Sequence, residues 1–266
     1  MADIRSKVHE IYSLELLSGG QSGIHRLHPL VKILGVLTYI VAVVSFDRYA
    51  LSQLVPYIFF PVLLMALAEI PYSMILKRTM IALPFCLFAG FSNLIVNTTP
   101  VLRFGGVTVS AGLLSLIAIV FRTLLSVSAV LILVAVTPFS ELTAQLRRFH
   151  VPRILVMLLE MTYRYIGALL EEVSSMYTAY RLRGDSPKGI ELRHMGSFVG
   201  QLLIRSFDRA ERVYSAMQCR GYTLDAEQVK SRPLQGRDWV FLCTVCGLSV
   251  LFRCVDFTQI IGRWFL

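Results

Sequence analysis

The residues best placed to do chemistry in this chain are two arginines. Tyr177-Thr178-Ala179-Tyr180-Arg181-Leu182-Arg183-Gly184 and Tyr214-Ser215-Ala216-Met217-Gln218-Cys219-Arg220-Gly221 carry Tyr, Ala, Arg and Gly at the same offsets, 37 residues apart. A guanidinium is a planar fork of donors that grips carboxylates or carbonyl pairs, which suits it to plugging into a socket on a partner. One Arg-Gly ending can be routine helix termination, because a cation in the last turn complements the helix dipole. Two copies, with Ala179 and Ala216 matched and a hydroxyl conserved in kind at Thr178 and Ser215, point to a repeated docking element. Two equal plugs imply two equal sockets, and the common source of equal sockets is a two-fold dimer.

Other chemistry-bearing residues carry less. His25 and His28 could share a helix face as an H-x-x-H metal pair, but no Cys or carboxylate at ligand spacing accompanies them, so no metal ligand is assigned. Cys243-x-x-Cys246 lies inside an apolar run, where thiols behave as small hydrophobes. Arg122, within another apolar run, either serves function as an intramembrane charge or snorkels to an interface. Phosphate-loop, nucleophile-elbow, zincin and dinucleotide motifs do not occur in the sequence. The expectation is therefore no catalytic residue, no cofactor and no ATP hydrolysis by this chain.

The elements that must position the arginines follow from composition. The 266 residues are 55% hydrophobic and 16% charged, with a mean hydropathy of +0.64, too little charge for an ordinary soluble domain. Apolar runs at 30–46, 49–68, 79–96, 107–136 and 239–252 read as transmembrane helices. Pro56 and Pro61 break the second run, while Pro84 and Gly90 lie inside the third. The fourth is either one long tilted helix or a short re-entrant piece followed by a span, giving five crossings, or six. The last is short, with Trp239 to anchor one interface and Arg253 to reach the other.

Residues 137–238 hold 15 Lys or Arg and no spanning run. Even parity puts them on the side of the amino terminus and the 69–78 turn, and these segments, counted with Lys32 at the near edge of the first run, hold 21 of the 26 basic residues. The positive-inside rule makes that side cytoplasmic. This accounts for most of the +9 charge without nucleic acid as a partner, leaving the lipid bilayer as the first one. Five cysteines, several in apolar runs, read as reduced thiols, and no cleavable signal sequence is evident. The expected fold is all-α: a polytopic helical membrane protein with four transmembrane helices in 1–136, amphipathic coupling helices in 137–238 and a final transmembrane helix in 239–266.

Within the insert, Ile154, Leu158, Met161, Tyr165, Leu169, Val173, Met176 and Tyr180 recur at helical spacing from Arg153 onward, with Glu160 and Arg164 as an i, i+4 ion pair. That helix should end at Gly184 in the left-handed conformation, with Pro187 beyond. A second helix, from about Arg193 to Arg220, has Met195, Val199, Leu202, Ser206, Ala210, Val213 and Met217 on one face and Gln201, Arg205, Asp208, Arg212 and Ser215 opposite. Gly221 should end it in the same way.

The paired endings Leu182-Arg183-Gly184 and Cys219-Arg220-Gly221 resemble the two Ala-Arg-Gly signatures of the transmembrane T component of energy-coupling factor (ECF) transporters, of the CbiQ cobalt-transport type. Leu182 and Cys219 stand where the family has Ala. His25-Arg26-Leu27-His28-Pro29-Leu30-Val31-Lys32 and Arg209-Ala210-Glu211-Arg212-Val213-Tyr214 resemble further segments of that family, and the likeness runs from about residue 22 to 222. It implies a multi-pass scaffold in the cell membrane, with two cytoplasmic ABC-type ATPase subunits and a substrate-binding membrane S component as partners. Arg183 and Arg220 would contact the ATPases, and cobalt or another transition-metal ion would be the cargo, unless the S partners are vitamin-specific. The competing readings are a self-contained channel or secondary transporter, which would need polar groups deep in several spans, and a membrane enzyme, which would need a His, Asp or Glu cluster.

Overall fold

The computed structural model describes residues 17–20, 22–47, 51–96, 100–104, 107–184, 189–223 and 233–254. It divides into two compact units: one contains Ser140–Ser231, the other Leu14–Phe139 with Arg232–Leu266.

The larger unit is a bundle built on α1 (Pro29–Val44). Pro29 sits at the helix start, where its missing N–H costs nothing, and His28 caps the helix, its Nδ1 accepting from the Leu30 amide at 3.1 Å. Val31, Lys32, Gly35, Val36, Tyr39 and Val43 form its buried face at three- and four-residue steps. The second apolar run is broken as its prolines require, into α2 (Leu51–Leu54), a 3-10 turn (Val55–Ile58) and α3 (Phe59–Ala68). Pro61 cannot donate to the Tyr57 carbonyl, and the buried Tyr39 hydroxyl fills that vacancy at 2.9 Å. The third run is likewise broken. Pro84 cannot donate to Met80, so α4 (Tyr72–Met80) stops there and α5 (Leu83–Val96) continues at a bend of 42°.

The fourth run is one long helix preceded by a hairpin. β1 (Pro100–Phe104) pairs antiparallel with β2 (Val107–Ser110), and Ser110 caps α6 (Ala111–Val136). Buried Ala111, Gly112, Ser115, Ala118, Ala129 and Ala135 make a small-residue stripe on α6 that admits close neighbours, the way membrane helices pack. Gly90 on α5 comes so close to α6 that a Cβ there would lie 2.9 Å from the Leu116 side chain. The final helix, α10 (Gly236–Cys254), packs on α1, where Gly35 leaves room for Phe241 and Val245. Outward-facing Phe85 (80% exposed), Phe88 (83%) and Val41 (61%) suit hydrocarbon and would be costly in water. Among the described residues α6 alone is long and apolar enough to cross a bilayer unaided, and bent α4–α5 also qualifies as one broken span. The architecture is that of an all-α helical membrane protein with one small hairpin.

The second unit is built on helices. α7 (Phe139–Leu146) and a 3-10 turn (Arg147–Phe149) lead to His150 in the left-handed conformation. After Pro152 runs α8 (Arg153–Arg183), and α9 (Leu192–Cys219) follows. At 1.5 Å per residue these are rods of roughly 46 and 42 Å. Glu160 pairs with Arg147 at 3.9 Å and receives the Thr143 hydroxyl at 3.4 Å, so the expected partner Arg164 gives way to a residue brought round by the preceding turn.

Candidate functional site

The rods are tied by polar contacts. Glu172 on α8 sits between Arg205 and Arg209 of α9; Arg205 donates to one carboxylate oxygen and Arg209 approaches the other at 3.5 Å. Two guanidiniums on one half-buried carboxylate fix the rods better than an isolated exposed pair would. Nearer the connecting loop, Tyr180 and His194 share a hydrogen bond of 2.9 Å with their rings edge to face, and Glu191 lies 3.7 Å from the same imidazole nitrogen.

The inward side of α9 differs from the periodicity reading by a partial rotation. Leu202, Ser206, Val213 and Met217 are half-buried as expected, joined by His194, Phe198 and Arg209, whereas Met195, Val199 and Ala210 are exposed. On α8, Met161, Tyr165, Leu169, Val173, Met176 and Tyr180 are half-buried, but Ile154 and Leu158 at its beginning are exposed. Arg209 turned inward because Glu172 offers it a partner, which periodicity of apolar residues cannot register.

Both tips are open to solvent. Ala179, Arg183, Gly184, Ala216, Arg220 and Gly221 are all exposed, as is Arg212. The two endings nevertheless close differently. At the second, Gly221 takes φ +67°. Its amide bonds the Gln218 carbonyl at 2.9 Å while the Tyr222 amide bonds Met217 at 3.0 Å. These paired bonds are a Schellman closure. At the first, the expected left-handed glycine is absent. Gly184 is extended (φ −117°, ψ 147°), its amide still bonding Tyr180 at 3.1 Å as a last helical turn would. The Schellman motif usually carries an apolar pair between the residue after glycine and the residue four before glycine. Tyr222 and Met217 supply one, whereas Asp185 in the matching position is charged. Arg183 also borders a cleft of about 730 Å³ with Ala179, Tyr180, Glu191, His194 and Arg205.

Arg122 ties α6 to the end of α1. Its guanidinium donates to the Phe46 carbonyl at 2.8 Å and to Asp47 at 3.2 Å, filling acceptors just past the end of α1. Arg253 lies over the Phe46 ring, 4.5 Å from its centroid. The two histidines are used locally. His28 is the α1 cap, and His25 contacts the Ser22 hydroxyl at 2.7 Å and the Leu17 carbonyl at 3.0 Å. Burial holds the His25 pKa below its usual value, with Lys32 adding repulsion. Cys246 contacts Thr38 of α1, and Cys243 is exposed on the apolar helix.

Sequence reasoning missed a cluster at the amino-terminal end of α1. Lys32 is buried, and its ammonium donates to the carbonyls of His25 (3.0 Å) and Val136 (3.1 Å). Asp238 is also buried; its carboxylate accepts from the His28 amide at 2.9 Å and the Gln235 amide at 2.8 Å. A charge at the edge of each apolar run was the available signal.

The described residues thus form an apolar helical bundle and, as a separate unit, two long clasped helices with solvent-exposed arginine ends. The chain belongs to the CbiQ family, described as cobalt transport protein, whose pattern matches residues 20–231. It is 29% identical over 116 residues to the nickel permease LarQ of Lactiplantibacillus plantarum, covering 44% of this chain and 42% of that one. It is 33% identical over 102 residues to the cobalt transport protein CbiQ of Rhodobacter capsulatus (38% and 42%). Each of those alignments spans less than half of the relative's length. The likeness to the ECF transporter transmembrane protein EcfT of Streptococcus equi runs nearly end to end, at 26% identity over 253 residues (89% and 93%).

Proposed function

We propose that this chain is the non-catalytic scaffold of an ATP-driven importer, seated in the cell membrane as a multi-pass protein with its insert in the cytoplasm. Two ABC-type ATPase subunits dock on the tips of α8 and α9, with Arg183 and Arg220 as the anchoring cations and Gly184 and Gly221 ending the rods behind them. ATP-driven closure of the ATPase pair moves the rods, and the membrane helices pass that movement to a substrate-binding S component. The cargo that fits best is a transition-metal ion, nickel or cobalt, since relatives named for each align with this chain. An S component specific for a vitamin is the alternative that the EcfT likeness leaves in play.

The observation that carries the reading is a pair of exposed guanidiniums at the ends of two rods that a shared carboxylate holds together. Orientation is supported by Lys32 and Asp238: they bring the amino-terminal ends of α1 and α10 to the carboxyl-terminal end of α6, as an even number of crossings before the insert requires. The test is the double charge reversal Arg183→Glu with Arg220→Glu. Truncating one partner of a buried interfacial charge pair costs about 2–5 kcal/mol, so the double variant should lose ATPase co-purification and reconstituted uptake while keeping its thermal unfolding profile. Native uptake by the double variant would defeat the reading. A self-contained channel or secondary transporter would transport without any co-purifying ATPase.

A further inference from the structure

The cluster around Lys32 and Asp238 gathers the two places where the insert joins the bundle. Val136 is the last residue of α6, where the chain leaves the bundle; Gln235 and Asp238 open α10, where it returns. The segment 25–32 holds both. Lys32 bonds the Val136 carbonyl, at the negative end of the α6 dipole, and the His25 carbonyl. Asp238 bonds the amides of His28 and Gln235, the N-cap donors of α1 and α10, so one carboxylate serves the positive ends of two helices. Lys32, Asp238 and His28 are 3%, 5% and 2% exposed, which places the charges beyond the reach of solvent screening.

Stability alone does not call for charge in such a place, because well-packed apolar replacements of buried ionic groups are often neutral or stabilising. What directed charge–dipole bonds supply is a fixed register between three helix ends. We propose that Lys32 and Asp238 are positioning residues that transmit movement of the insert to the membrane helices: they clamp its exit and its return to α1, so that α1, α6 and α10 shift together when the rods are displaced. This rests on the scaffold reading, which supplies the displacement.

The test uses the complex reconstituted with its ATPases and needs no knowledge of the cargo. A bimane fluorophore is placed on Trp239→Cys, the exposed position next to Asp238, in a chain whose five native cysteines are replaced by serine. Emission is read with and without a non-hydrolysable ATP analogue. The nucleotide should change the emission in the parent, and the change should be lost in Lys32→Met and in Asp238→Asn while ATPase co-purification and hydrolysis persist. Lys32→Arg, which keeps a donor cation, should restore it. A change that survives in Lys32→Met and Asp238→Asn, or that is missing from the parent, overturns the proposal. Loss of ATPase assembly in all the variants would assign the cluster to folding alone and overturn it as well. Failure of the parent to bind ATPases would instead strike the scaffold reading, a separate result in the same experiment.

Discussion

The two arginine tips share their letters and differ in their backbones. At Arg220 the chain folds back at once: Gly221 is left-handed and Tyr222 returns to Met217, so the last carbonyls are satisfied and the tip is closed. At Arg183 the chain leaves extended through Gly184 beside an open cleft, and order there comes from the neighbouring Tyr180–His194–Glu191 contacts. A duplicated motif thus gives one tip that is rigid by local closure and one whose surroundings are supplied by the other rod. The Arg220 tip is held by its own backbone; the Arg183 tip depends on how α8 and α9 are clasped.

The clasp is where this comparison can be broken with the largest effect. Glu172→Lys would set a third cation against Arg205 and Arg209. Because those partners are substantially exposed, the cost should be about 2 kcal/mol rather than that of a buried charge. The change should lower Tm and weaken ATPase binding through the Arg183 tip more than through the Arg220 tip, which binding titrations on single-arginine backgrounds would resolve. Equal losses at both tips would erase the distinction. A smaller effect sharpens it. Gly221→Ala forces an L residue into the left-handed region and should cost about 1–2 kcal/mol. Gly184→Ala, at an ordinary φ with its new Cβ 3.5 Å from the Tyr180 carbonyl, should stay within about 0.5 kcal/mol of the parent in thermal unfolding.

What could be read ahead of the structure was whatever the chain encodes locally. The 31-residue α8 follows from apolar spacing between Pro152 and Gly184, and the broken second run follows from prolines that cannot donate. Legibility failed where the deciding partner is distant or lies outside the motif. Asp238 finds His28 across 210 residues, and Lys32 finds Val136 across 104, so neither residue's role could be read from its neighbours in the chain. Arg122 had two readings, and neither foresaw that its guanidinium bonds the carbonyls just past the end of α1. Gly184 was misread because Arg-Gly alone does not set φ: the same two letters close left-handed at Gly221 and run extended at Gly184.

The central claim is that two tips on one chain seat two ATPase subunits. Native mass spectrometry of the detergent-extracted complex, with and without Arg183→Glu and Arg220→Glu, tests it most directly. The account predicts a dimer of ATPases on each native chain and none on the doubly reversed chain. An ATPase dimer held undiminished by the doubly reversed chain, or a native chain that carries none, would contradict it.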